Sequence, residues 1–484
     1  MASSTYRLIR RGLDLVVRAF FRELHVTGAQ RVPTDRGGLL VSWHPNGLID
    51  PGLVFTALPQ PVVFGARHGL FRYPLLGTLL RQLGTVPIYR AMDGGRDPAK
   101  RREANERSLQ VLAERIAAGS YSALFPEGDS HDESDLRTLK TGAARLYYRA
   151  RSLRAPGTPP PVIIPVGLHY DDKNAFRSSA LVAFHSPLEL PAELDQDPDP
   201  QQPEANETRA RALTEHIEQA LREVVHATED WTLHHTLHRV RRLVRAEQAL
   251  RTGSTPGRTT IGERVLGFAQ VRTAYYAALA RDPAHVATLR RRVRAYDLGL
   301  RALRLEDYDL DRDPRLSPWL AVLSVAQALL VVLLLPPIVL LGYVINLPTS
   351  LLLMGLARAA SRKEKDEATV KLLAGAILYP LTWIAAGIAG GLGHVALNQA
   401  FPRLPNTPIT VGVSIAVLGA VGGVIALRYS KLTRQTARSI RVRITRRRQR
   451  AALAHLRVER AELYDEAVAL VDALMDGATP AAER

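Results

Sequence analysis

The chain has 484 residues, 46% of them hydrophobic and 23% charged, which excludes a disordered chain and a single small domain. It has no cysteine, so disulfide scaffolds, thiolate metal sites and cysteine nucleophiles are excluded. Lys and Arg outnumber Asp and Glu by 64 to 47, and a surplus of +17 calls for an anionic partner: nucleic acid, a membrane surface or a phosphorylated substrate.

Along the chain, residues 5–24 come first. They set Leu13, Val16, Val17, Phe20 and Leu24 against Arg7, Arg11, Arg18 and Arg22 at helical spacing. Arginines break every apolar run, which argues against a secretory signal. Such a helix either lies in a lipid interface or packs on the domain core, and 1–34 is assigned as an amphipathic membrane-interface segment. Residues 39–190 change period. Short β-type runs (LLVSW, PVVFGA, TVPIY, YSALF, VIIPVGLHY, ALVAFH) alternate with helical stretches at 98–118 and 137–150, an α/β pattern with helix crossovers. Residues 191–206 are a Pro- and acid-rich linker, and 207–305 are almost all helix-forming, with a break at GSTPGRTT.

The apolar mass lies further on. Residues 318–347 contain no charge, 348–357 continue apolar, and 372–398 and 408–427 are uncharged. A bilayer core needs roughly 20 apolar residues per helix, so the last two stretches read as transmembrane spans. Residues 318–357 read either as two short spans folded near Pro336-Pro337 or as one span with an interfacial piece. The connector 358–371 carries Arg358, Arg362, Lys363, Lys365 and Lys371, and 431–450 has nine Lys/Arg and no acid. Both should face the cytoplasm, as should the front of the chain, which favours about four spans with 399–407 outside. The resulting division is 1–34, a catalytic α/β domain at 35–200, a helical region at 201–317, a membrane domain at 318–430 and a basic tail with an amphipathic helix at 431–484.

Four segments carry chemistry. Trp43-His44-Pro45-Asn46-Gly47-Leu48-Ile49-Asp50-Pro51 follows a hydrophobic strand. A histidine with a carboxylate a few residues on suits general-base work, because the carboxylate orients the imidazole and stabilises the imidazolium. Gly84-Thr85-Val86-Pro87-Ile88-Tyr89-Arg90 is a strand ending in an arginine. Leu124-Phe125-Pro126-Glu127-Gly128-Asp129-Ser130-His131-Asp132 reads as strand then tight turn, with Leu139-Lys140-Thr141-Gly142 behind it. Its small residues allow close backbone approach, and Arg90 and Lys140 suit a phosphate. Val162-Ile163-Ile164-Pro165-Val166-Gly167-Leu168 is a buried strand.

In this order and spacing, over residues 35–190, the four segments resemble the glycerolipid acyltransferase family, which esterifies glycerol 3-phosphate and lysophosphatidate. They are most similar to its fungal-type glycerol-3-phosphate/dihydroxyacetone-phosphate branch. The Phe-Pro-Glu-Gly-x-Ser-His-Asp block at 125–132, the Leu-Lys-x-Gly block at 139–142 and Tyr170…Lys173…Phe176-Arg177-Ser178 carry that similarity. The family's common first block is His-x4-Asp. Here position 49 is Ile and the acid is Asp50, a His-x5-Asp spacing that resembles the fungal-type group.

The resemblance implies an α/β acyltransferase domain followed by a helical region and a multi-span C-terminal membrane domain. It implies His44 as general base, Asp50 as its orienting acid, and Arg90, Glu127, Gly128, Ser130 and Lys140 at the acceptor site. Pro165 and Val166 would shape the pocket. The donor would be acyl-CoA or acyl carrier protein as co-substrate, with no cofactor and no metal. The acceptor would be glycerol 3-phosphate, or alternatively lysophosphatidate. The enzyme would sit in the inner membrane as a multi-pass protein, against anionic lipid, with its catalytic domain on the cytoplasmic face and no nucleic-acid partner. A membrane scaffold or transporter with a degenerate catalytic domain is the rival reading; intact His44, Asp50, Arg90 and Glu127 argue against it.

Weaker signals read blandly. His234, His235 and His238 lie at a spacing that can bind metal but form a single cluster, best read as a polar helix face. Asp307, Asp309, Asp311 and Asp313 alternate like a calcium loop, yet Arg312 and Pro318 stand where that loop needs Gly and Glu, so a solvated linker is expected.

Overall fold

The computed structural model describes residues 4–72, 74–89, 97–173, 175–254, 259–311, 318–329, 335–360 and 367–476. These divide into two compact units, one comprising residues up to His234 with 259–266, the other most of the remainder.

The first unit is a seven-stranded sheet. Its elements in order are α1 (Ser4–Phe20), β1 (Glu23–Thr27), β2 (Gly38–Val41), α2 (Ile49–Ala57), β3 (Val62–Arg67), α3 (Pro74–Gln82), β4 (Val86–Ile88), α4 (Pro98–Ala117), β5 (Tyr121–Leu124), α5 (Gly142–Ser152), β6 (Val162–Tyr170), β7 (Ser179–Phe184) and α6 (Pro203–Val224). The strand order is β1-β7-β6-β2-β5-β3-β4. Every pairing is parallel except β6 with β7. Buried parallel strands need apolar residues on both faces, and all four residues of β2 are buried. On one face Leu39, Val41, Val63 and Ile163 pack with Leu112 and Ile116 of α4, Leu146 and Tyr147 of α5, and Leu213, Ile217 and Leu221 of α6. Alternation turns Leu40, equally buried, to the other face.

Three sequence readings change. Residues 23–27 form the edge strand β1, paired in register with β7 from Glu23↔Ser179 to Thr27↔Ala183, and α6 supplies core residues, so the compact unit runs past 35–200 on both sides. The run ELHVT was not legible because an edge strand is half solvated and shows little apolar alternation. The helix expected at 137–150 starts only at Gly142. The helix α1 packs one face on the domain core and leaves the other uncovered. Val17 and Phe20 are buried, Tyr6 stacks edge-on against Phe55 and its hydroxyl accepts the Val62 amide (3.2 Å), while Leu8 and Leu15 are each 71% exposed.

The second unit is helical: most of α7 (Trp231–Arg251) and α8 (Ile261–Arg281), then α9 (Pro283–Leu303), α10 (Pro318–Leu329), α11 (Leu335–Ala360), α12 (Glu367–Ala400), α13 (Pro408–Arg448) and α14 (Arg450–Asp476). The acidic run at 307–311 is not a solvated linker. Asp307 and Asp309 are buried, and Asp313 lies outside the described residues. Asp307 accepts from Arg239 (2.8 Å) and the Tyr296 hydroxyl (3.0 Å), and Asp309 accepts from Arg438 (2.8 Å). Arg460, with no exposed surface, donates to Glu247 (2.8 Å), the Asp307 carbonyl (2.9 Å) and Asp311 (2.6 Å). Charges spaced two apart look solvated in sequence; here their partners come from α7, α13 and α14. Apolar residues of these helices and of α9 close around them: Leu243, Val293, Leu300, Val442, Leu453 and Leu456.

Among the described residues two helices are long and apolar enough to cross a membrane, Ala374–Ala400 within α12 and Pro408–Arg448. Both leave regular apolar stripes uncovered: Ile377, Leu381, Ile384, Ile388 and Leu392 on α12, and Ile409, Val413, Val417, Val421 and Val424 on α13. Their contacts use small residues, with Gly387 against Gly412 backbone, and Gly342 of α11 against Gly422 of α13 so closely that no Cβ fits. Asn346 of α11 donates to the Gly419 carbonyl (2.8 Å) and accepts from the Trp383 indole (2.9 Å), so one amide links α11, α12 and α13. The described residues of 318–357 lie in α10 and α11. α13 runs unbroken from the apolar stretch through the basic run to Arg448, past the 430/431 division.

Replacing Arg460 by Met should lower the stability of the full chain by about 3–5 kcal/mol, since it strips buried Glu247 and half-buried Asp311 of a partner. A thermal unfolding scan checks it; an unchanged midpoint would mean these acids are solvated after all.

Candidate active site

The site forms where β2, β5 and β6 end. β2 and β5 are parallel neighbours, with Val41 opposite Leu124, so the loops after them emerge side by side at the carboxyl edge of the sheet. One loop brings His44, the other Glu127. Pro165 of β6 pairs with Val41, three residues before the histidine, and so steadies the strand from which His44 emerges.

His44 Nδ1 lies 2.8 Å from Asp50 Oδ2. Asp50 has no exposed surface and sits in the first turn of α2. Its Oδ2 also accepts the Asn46 amide (2.7 Å), and its Oδ1 accepts the Tyr170 hydroxyl. The long His-x5-Asp spacing is accommodated at Gly47, whose φ of 42° turns the loop through the left-handed region. The imidazole stacks flat on Phe125, 4.1 Å between ring centres, and 15% of its side chain is exposed. With Nδ1–H committed to Asp50, Nε2 is left as the proton acceptor.

Glu127 is turned into the protein. Its side chain has no exposed surface. Oε2 accepts the His44 backbone amide (3.1 Å), and Oε1 accepts the Arg137 amide (2.9 Å) and the His131 ring (2.5 Å). His131 Nδ1 accepts the Glu133 amide (3.2 Å), which puts the ring proton on Nε2, facing Glu127. The His131 amide in turn donates to the His44 carbonyl (3.0 Å). Glu127 and His131 therefore join the two loops, and the Ser-His-Asp sequence was the signal that could have found this tie.

The other expected residues divide. Gly128 has φ of 77°, and a Cβ there would collide with the ammonium of Lys140, so Lys140 lies directly against this turn, exposed. The Lys140 amide donates to the Pro126 carbonyl (2.9 Å), which fixes the base of that residue. Ser130 is buried. Val166 is buried within the sheet, paired with Phe184. Arg90 lies outside the described residues. Among the described residues no three His, Asp or Glu side chains gather into a metal site, His234 and His235 included.

Sequence reasoning assigned no role to Tyr170 and Lys173. Lys173 Nζ donates to the Pro45 carbonyl (3.0 Å) and pairs with Asp132, while Asn46 donates to the Lys173 carbonyl (2.9 Å). Burial, and next the Asp50 charge, raise the Tyr170 phenol well above its ordinary range, so it stays a donor. Its neighbour His169 is pushed down to about 3 by burial and then by the stacked His226, and is neutral at physiological pH.

Residues 23–169 match the family model described as acyltransferase. The chain is 26% identical over 295 residues to glycerol-3-phosphate O-acyltransferase 1 of Saccharomyces cerevisiae, a match covering 60% of this chain and 35% of the yeast protein. It is 26% identical over 165 residues to 1-acyl-sn-glycerol-3-phosphate acyltransferase of Borreliella burgdorferi, covering 34% of this chain and 57% of that one. The crystal structure of the lysophosphatidate acyltransferase PlsC from Thermotoga maritima aligns at 17% identity and a TM-score of 0.30 over 45% of this chain and 79% of that one. The matched part thus spans about a third of the yeast relative.

Replacing Glu127 by Ala leaves two backbone amides and the His131 ring without an acceptor. It should cost about 2–4 kcal/mol and speed hydrogen exchange at the His44 and Arg137 amides before other amides of the sheet. Unchanged exchange at both positions would contradict the tie.

Proposed function

Because residues 23–169 form an acyltransferase-family domain, we propose that the chain transfers a fatty acyl group from a thioester, acyl-CoA or acyl carrier protein, to glycerol 3-phosphate. The observation that carries this is His44, held through Nδ1 by buried Asp50 with Nε2 left to take a proton. Nε2 removes the proton of the acceptor hydroxyl as its oxygen attacks the thioester carbonyl. The C–O bond forms, the C–S bond breaks, and the imidazolium returns the proton to the leaving thiolate. Asp50 stabilises the imidazolium between those transfers. General-base help of this kind is worth roughly 10²–10⁴-fold, and the rest comes from holding the two substrates together.

The acceptor's phosphate belongs at the Gly128 turn, where the exposed Lys140 side chain lies against the glycine; Arg90 would add a second cation. Lysophosphatidate carries the same phosphate, and the Borreliella relative is named for it, so it is the second reading. The yeast match covers more of this chain and favours glycerol 3-phosphate. Neither chemistry calls for a metal or a nucleic acid.

We place the enzyme in the inner membrane as a multi-pass protein. The basic connector 358–371 and the arginine-rich end of α13 then lie on the cytoplasmic side with the catalytic domain, against anionic headgroups, and 399–407 lies outside. Full-length protein in detergent, given labelled acyl-CoA with glycerol 3-phosphate, dihydroxyacetone phosphate or lysophosphatidate in parallel, should release thiol fastest with glycerol 3-phosphate. His44→Ala should lower that rate by at least about 10²-fold. No thiol release with any acceptor, or full activity in the variant, would overturn the reading.

A further inference from the structure

We propose that Tyr170 is a positioning residue for the base, its hydroxyl fixing Asp50 so that Asp50 can fix His44. The proposal rests on the acyl-transfer reading and extends it to a residue outside the family's four motifs. It starts from an accounting of Asp50. The carboxylate is wholly buried, so each oxygen needs a donor. Oδ2 has two, the His44 ring and the Asn46 amide, and both come from its own loop. For Oδ1 the donor among the described residues is the Tyr170 hydroxyl, reaching in from the end of β6, 120 residues away. A carboxylate held at one oxygen can turn about its Cβ–Cγ bond; held at both, it cannot. Tyr170 is what makes the aim of Oδ2 at His44 a property of the sheet rather than of a flexible loop.

Packing does not require the hydroxyl. The ring rests against Phe21, centres 5.9 Å apart, and phenylalanine would fill the same space. The oxygen's observed contact is Asp50. Downstream residues reinforce the arrangement. The Lys173 carbonyl holds the Asn46 side chain, and Lys173 Nζ holds the Pro45 carbonyl and Asp132, one group from each of the two site loops. Residues 170–173 thus act as a strap across the loops of His44 and Glu127. All these bonds are made within the protein, to groups that hold His44 rather than to His44 Nε2, so losing the hydroxyl should slow chemistry and spare affinity.

The test uses the full-length enzyme in detergent, with acyl-CoA and the acceptor that supports turnover. Tyr170→Phe should lower kcat about 10- to 100-fold, the effect of one hydrogen bond to a charged group, with KM for both substrates within about two-fold of wild type. Adding Tyr170→Phe to Asp50→Asn should change kcat by less than about two-fold, because a residue that acts through Asp50 has nothing left to position. An unchanged kcat, a rise in KM alone, or two losses that multiply would each overturn the proposal. If the phenylalanine variant does not purify, Lys173→Met takes its place and must lower kcat with KM spared. Wild type and His44→Ala run alongside: an inactive wild type defeats the acyl-transfer reading, whereas an active wild type, a dead His44→Ala and a normal Tyr170→Phe defeat this proposal only.

Discussion

The site depends on one buried carboxylate, that of Glu127. Parallel strands deliver two loops to the same edge of the sheet, but nothing in strand pairing fixes the loops to each other. Glu127 does so by accepting the amide of His44 from one loop and the amide of Arg137 and the ring of His131 from its own. A charged group without exposed surface is tolerable only when its oxygens are fully used, and these are. His44 is therefore anchored at its backbone by Glu127 and at its ring by Asp50. That rigidity is what a base needs if it is to meet a hydroxyl at one distance and angle.

A division of labour among the carboxylates follows. Asp50 holds the imidazole of His44. Glu127, which the resemblance places at the acceptor site, holds two backbone amides and the His131 ring. Beside them lies the Gly128 turn with Lys140, where a glycine at positive φ leaves room for the lysine side chain to lie close.

Much of this was legible in the sequence because it is local. The strands at 39–41, 62–67, 121–124, 162–170 and 179–184 are short buried apolar runs, and His44 and Asp50 lie in one loop. What escaped was made by distant partners. β1 earns its place only by pairing with β7. Asp307 and Asp309 looked solvated until Arg239 and Arg438 were brought to them. Tyr170 gave no sign of its role, since its bond to Asp50 crosses 120 residues. Glu127 was recognised as important, but motif spacing does not say whether a carboxylate faces substrate or backbone.

The most direct measurement is an experimental structure of the full chain with glycerol 3-phosphate and a non-hydrolysable thioether analogue of acyl-CoA. The account predicts an acceptor hydroxyl within about 3 Å of His44 Nε2, with the Nδ1 contact to Asp50 kept and the phosphate at Lys140. A hydroxyl bound against another base, with Nε2 facing protein or solvent, would contradict it.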